Sequence, residues 1–160
     1  MKRLAFTFLI TLILISLSAQ DTINTSHQLN PREDRPFGIS LGAAYFITVE
    51  SGIAFFCADY FVIPQLSLVA NVGVTDFEAP YFAVGGKGHL NSSASTSKFT
   101  PFLGVLFGSE WDEFMVQIPL GLDFISKKGF NVSLSLNQIF YFDSWQETFI
   151  DLKLGWRFKS

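Results

Sequence analysis

A chain of 160 residues, 49% apolar and only 16% charged, is long enough for one domain but holds fewer charges than the roughly 25% usual in globular proteins. Its 11 basic and 14 acidic residues leave a net charge of −3, which excludes the basic footprint that nucleic-acid binding requires. The one cysteine, Cys57, excludes an intrachain disulfide and lies too far along the chain to serve as a lipid-attachment site behind a leader.

In chain order the first element is a secretory leader. Lys2-Arg3, the apolar run Leu4 to Leu17 and the small residues that follow have its three regions, and cleavage is expected near Ser18, Ala19 or Gln20. A membrane-anchoring helix is the alternative, but the run is shorter than the roughly 20 residues a bilayer requires, and a polar stretch follows it. That stretch, Asp21 to Arg35 (DTINTSHQLNPREDR), contains Pro31 and has neither helical nor strand period, so it reads as a flexible segment ahead of the fold. His27 within it reads as solvated.

From Pro36 onward the period is two, the spacing of a strand with unlike faces. The first run sets Phe37, Ile39, Leu41, Ala43 and Tyr45 against Gly38, Ser40, Gly42 and Ala44. The second, Gly52 to Ile63, has aromatic residues on both faces and leaves its register open. The third sets Leu66, Leu68, Ala70, Val72 and Val74 against Ser67, Val69, Asn71 and Gly73. Weaker runs follow at Tyr81 to Leu90 and Thr100 to Gly108. A sixth carries Phe114, Val116, Ile118, Leu120, Leu122 and Phe124, and a seventh Phe130, Val132, Leu134 and Leu136 with Ser133, Ser135 and Asn137 between. The eighth is the clearest: Ile150, Leu152, Leu154, Trp156 and Phe158 alternate with Asp151, Lys153, Gly155 and Arg157.

Turn chemistry separates the runs at Pro64-Gln65, Glu78-Ala79-Pro80, Asn91 to Ser97, Ser109 to Asp112, Lys127-Lys128-Gly129 and Asp143-Ser144. Connections this short make neighbours antiparallel, because parallel pairing needs a crossover of a dozen residues or more. The expectation is an all-β chain, a closed eight-stranded antiparallel up-and-down barrel over residues 36–160.

Alternation alone does not say whether the apolar face meets lipid or forms the core of an exported soluble barrel such as a lipocalin. The polar face is mostly Gly, Ala, Ser, Asn and Gln, small groups that suit a narrow filled lumen rather than a water-facing surface. The apolar face carries no charge, as a lipid-facing surface requires, and only Gln138 departs from it. Lipid offers no partner to an open sheet edge, so the sheet must close.

The ending Ile150-Asp151-Leu152-Lys153-Leu154-Gly155-Trp156-Arg157-Phe158 resembles the closing strand of small outer-membrane barrels of the OmpA and OmpX kind. In strand pattern the resemblance covers roughly Pro36 to Phe158. It implies a transmembrane barrel in a Gram-negative outer membrane, among lipid and lipopolysaccharide, with Phe158 read by the barrel-assembly machinery. Lys159-Ser160 depart from a strictly terminal aromatic. It also implies that both termini, and hence residues 21–35, face the periplasm.

In that orientation the outer connections carry Glu50, Asp76, Glu78, Glu110, Asp112, Glu113, Asp143 and Glu147 without a Lys or Arg, while the opposite turns hold Lys98, Lys127 and Lys128. Hydrophilic rims explain this simply. The sharper reading is an acidic rim that binds divalent cations among lipopolysaccharide head groups, or a cationic partner. Trp111 and Trp145 at that boundary, and Trp156 at the other, read as interface anchors.

The inward charges are Asp59, Lys87, Asp123, Asp151, Lys153 and Arg157, with His89 nearby, and they read as a structural ionic network that plugs the lumen. A proton or ion path is the alternative, but side chains fill the interior of eight strands. A lipid-modifying serine hydrolase would need Ser, His and an acid together near the outer leaflet, whereas His89 falls at the opposite end, beside Ser92 and Ser93. One Cys and two separated His residues supply no metal cluster, and no cofactor is expected. Gly85-Gly86-Lys87-Gly88 lacks the helix that phosphate binding needs. The leading expectation is a structural or surface-interaction protein and not an enzyme, with a lipid-modifying enzyme and a soluble ligand-binding barrel as the alternatives.

Overall fold

A computed structural model describes residues 30–47, 51–76, 79–90, 98–110, 113–142 and 145–160. The leader, residues 21–29, and Glu50, Glu78, Trp111, Asp112 and Asp143 lie outside them. The elements are α1 (Pro31–Asp34), β1 (Phe37–Phe46), β2 (Gly52–Ile63), β3 (Leu66–Thr75), β4 (Ala79–His89), β5 (Phe99–Glu110), β6 (Glu113–Ile125), β7 (Phe130–Tyr141) and β8 (Gln146–Phe158). Each strand pairs antiparallel with the next, and β1 pairs with β8, from Phe37 opposite Phe158 to Phe46 opposite Phe149. The sheet is therefore the closed eight-stranded meander that the period of two predicts. Several strands run further than expected, and Ala79, Pro80, Ser109 and Glu110 belong to strands rather than turns.

The faces also follow the predicted registers. Leu41, Phe56, Leu68, Phe107, Leu134 and Leu154 point away from the barrel axis and stay exposed, Phe114 at 73%, while the alternate residues are buried in the lumen. This continuous apolar belt exceeds by far the few hundred Å² that a water-soluble monomer exposes, and it is the reverse of a lipocalin, whose apolar residues point inward. Among the described residues no helix is long and apolar enough to cross a membrane. In β2 the ambiguity resolves with Phe55, Cys57, Asp59 and Phe61 inward and Phe56, Ala58 and Tyr60 outward. Gln138 faces outward as expected. Its amide is satisfied locally, donating to the Glu147 carbonyl at 2.9 Å and accepting from the Thr148 hydroxyl at 2.8 Å.

Two irregularities have identifiable causes. Pro119 sits within β6 and has no N–H for the ladder, and the β5–β6 pairing skips two positions between Leu103–Leu120 and Leu106–Gln117 without a shift of register; Gly104 leaves room for its ring. In the turn between β6 and β7, Gly129 has φ +104°, a conformation L side chains rarely adopt, and its N–H closes onto the Ser126 carbonyl at 3.0 Å.

One expectation is corrected. The polar segment does not stay unstructured up to Arg35: α1 folds into the termini-bearing mouth of the barrel. Asn30 caps it by accepting the Arg32 N–H at 3.0 Å, Pro31 occupies the first turn, and Pro36 follows directly after its end. A four-residue helix has too few positions to show a period, and its stability comes from where Arg32 goes.

Lumen-facing glycines mark where neighbouring strands approach most closely. A Cβ at Gly108 would fall on the Phe82 carbonyl oxygen, which is backbone and cannot swing away. Gly108→Ala is therefore expected to cost about 1–3 kcal/mol, as overpacking does, read as a lowered urea midpoint for the protein folded in lipid vesicles.

Candidate functional site

The inward side chains form tiers along the barrel axis. At the termini-bearing end Arg157 of β8 forms a salt bridge to Asp59 of β2, and its guanidinium also donates to the Pro36 carbonyl and, at 2.9 Å, to the Arg35 carbonyl. Arg32 of α1, 1% exposed, donates to the Thr100 hydroxyl, and both guanidinium groups lie over the Phe61 ring, Arg157 at 4.4 Å and Arg32 at 5.7 Å. Lys87 rests its ammonium 4.3 Å from the centre of the Phe102 ring. Asp59, Lys87, His89, Asp123 and Arg157 all lie in this tier, Asp59 paired with Arg157 and Asp123 beside His89, together with Arg32.

The next tier is a hydrogen-bonded chain. Lys153 lies 3.3 Å from Asp151, whose other oxygen accepts from Asn137 at 2.8 Å. Asn137 accepts from Gln117 at 2.7 Å, and Gln117 accepts from the Tyr81 hydroxyl at 2.7 Å. A cavity of about 20 Å³ between this chain and the first tier is the size of a single water molecule. Beyond the chain an apolar tier fills the bore, with Phe46 and Phe149 in tilted contact at 5.2 Å beside Ile53, Phe55, Met115 and Ile139.

Within the first tier Ser67, His89 and Asp123 come together from β3, β4 and β6, an arrangement sequence reasoning missed when it sought the serine in the turn after His89. Ser67 Oγ is 3.0 Å from His89 Nε2, and Asp123 Oδ2 is 3.5 Å from Nδ1. The order is that of a catalytic triad, but a triad needs room for a carbonyl at the serine. Ser67 is 1% exposed, and the Phe61 and Phe102 rings flank the imidazole at 4.8 and 5.9 Å. The contact pairs the Ser67 hydroxyl with His89 Nε2, while His89 Nδ1 makes no hydrogen bond and only approaches Asp123. A fluorophosphonate probe is accordingly expected to leave Ser67 unlabelled in the folded barrel, as read by mass spectrometry.

At the opposite mouth the expected rim is corrected in one respect. Glu110 and Glu147 do not project from loops but point into the barrel, 6% and 4% exposed. With Phe46, Thr75, Asp76, Glu113, Tyr141 and Trp145 they line an open cavity of about 490 Å³. Glu110 accepts from the Thr75 hydroxyl at 2.8 Å and from the Tyr141 hydroxyl at 2.6 Å. Tyr141 stacks on Trp145 at 4.3 Å, and the Trp145 indole donates to Glu113 at 3.1 Å. In the turn after β3, Asp76 accepts the Gly52 N–H at 2.8 Å, which holds its carboxyl below the usual range, so Asp76 is ionised at neutral pH. Among the described residues no group of His, Cys, Asp and Glu converges closely enough to hold a metal ion.

Removing one partner of the Arg157–Asp59 pair leaves a buried charge uncompensated. Asp59→Ala alone is expected to cost about 3–5 kcal/mol, and the double variant Asp59→Ala/Arg157→Met less than Asp59→Ala alone. Urea unfolding in vesicles measures both.

No protein-family model and no curated protein sequence matches the chain. Its fold is shared with solved transmembrane barrels. The N-terminal β-barrel domain of Pseudomonas aeruginosa OprF superposes with a TM-score of 0.64 at 13% identity, over 78% of this chain and 98% of that one. A de novo designed transmembrane β-barrel gives 0.63 at 14% identity, over 77% and 95%. The designed barrel TMB2.3 gives 0.59 at 16% identity, over 79% and 96%. At these identities the likeness is one of architecture: the chain is built as a small closed transmembrane β-barrel.

Proposed function

We propose that the chain is a small outer-membrane protein of a Gram-negative cell with a structural and surface-interaction role. The leader at residues 1–20 directs export, and the barrel-assembly machinery reads the final strand through Phe158. Both termini face the periplasm, and the acidic mouth faces outward among lipid and lipopolysaccharide. Trp145 and Trp156, each about half exposed near opposite ends, anchor the two interfaces.

One observation carries this reading: the outer surface is an apolar belt, while the bore is filled by ion pairs, a hydrogen-bonded chain and an apolar tier in succession. A plugged barrel in a bilayer acts as a scaffold, and its chemistry is confined to what it presents at the surface. The OprF domain and the designed barrels, similar in fold, support membrane placement.

The mature protein is expected to fractionate with the outer membrane, to need detergent for extraction, and to migrate differently on gels before and after boiling. In planar bilayers it is expected to give no discrete conductance steps. Release with the periplasm would overturn the membrane reading, and steady single-channel currents would overturn the plugged one.

A further inference from the structure

The mouth cavity places two carboxylates side by side without enough protons to satisfy them. Glu110 and Glu147 are both more than nine-tenths buried, and both contact the Tyr141 hydroxyl. A phenol has one proton, and Tyr141 gives it to Glu110; Thr75 gives its own to Glu110 as well. Glu147 contacts the same hydroxyl, whose single proton does not serve both carboxylates at once, and its own carboxylate lines the cavity. A buried carboxylate in that position is costly unless a cation or a donor reaches it. Among the described residues no such cation lies beside it. Lys153, Lys87, Arg157 and Arg32 lie beyond the apolar tier, and the connections at this mouth contain no Lys or Arg.

The remaining walls say which cation fits. A hard divalent ion takes six to eight oxygen ligands in Ca²⁺ sites or near-octahedral geometry in Mg²⁺ sites, and the described carboxylates do not converge to that degree. Phe46, Tyr141 and Trp145 give the cavity aromatic walls, which attract ammonium and guanidinium groups and bury the alkyl stems attached to them. Its volume, about 490 Å³, falls in the range of small-molecule sites.

We propose that the outer mouth binds an alkylammonium group through Glu147, with Tyr141 and Trp145 as its aromatic wall, the group belonging either to a free polyamine or to a lysine side chain of a surface peptide. The proposal rests on the outward orientation given above and deepens that reading by naming the chemistry of the partner.

The test uses the full mature protein folded in detergent, with heat-modifiable mobility confirming the fold. Titration with spermidine and, separately, with an end-capped trilysine peptide is expected to change tryptophan fluorescence saturably, the tighter of the two identifying the source. Glu147→Gln is expected to weaken that binding at least tenfold while keeping the heat-modifiable band. Carbodiimide coupling of bound spermidine needs no variant and is expected to add one polyamine predominantly to the peptide containing Glu147. Unchanged affinity in a folded Glu147→Gln protein, calcium competing as well as spermidine, or coupling spread evenly over exposed acids would each overturn the proposal. A protein lacking heat-modifiable mobility would instead overturn the membrane reading beneath it.

Discussion

The pairing of β1 with β8 is the constraint on which the rest of the structure depends. Ten residues of each strand lie opposite one another, so the sheet has no free edge and the strand backbones need no water. Only a closed ladder can expose side chains such as Phe114 and Leu41 to hydrocarbon without also exposing unpaired N–H and C=O groups. Closure also fixes the width of the bore. Eight strands leave space for side chains and little else, so every inward residue must find its partner across a narrow gap.

The tiers of the lumen follow from that geometry. Charged groups are stable in such a space only as pairs or as members of a hydrogen-bonded chain, and the structure uses both: Arg157 with Asp59, and Lys153 through Asp151, Asn137 and Gln117 to Tyr81. The apolar tier around Phe46 and Phe149 then separates a region rich in bases from a mouth where the described ionisable residues are acids. The bases below that tier are matched by acids of their own, and they cannot neutralise the acids of the mouth through the barrel.

Much of this architecture is legible in the sequence because lipid is an unforgiving solvent. A surface that tolerates no charge writes a clean alternation, and β8 shows it from Ile150 to Phe158. Where the two faces share a residue type the alternation loses its meaning, which is why Phe55 and Phe56 left β2 undecided until the pairing with β1 and β3 placed them. Glu147 was readable in principle: it has the same parity as Asp151, Lys153 and Arg157, and extending the β8 register outward turns it into the lumen. Acids beside a loop look solvated, and that appearance concealed it. The meeting of Ser67, His89 and Asp123 was beyond sequence reasoning. Parity gives each an inward direction, but their common height depends on the stagger between strands.

The seat of Arg32 has a consequence for how the molecule comes together. Its hydroxyl acceptor is on β5, the aromatic ring beneath it on β2, and the carboxylate that attracts it on β6. β5 and β6 are neighbours, but β2 stands across the bore from them and faces them only because the sheet is closed. The stretch ahead of β1 therefore has its full set of partners only in the finished barrel, where it ties three staves of the cask together from within.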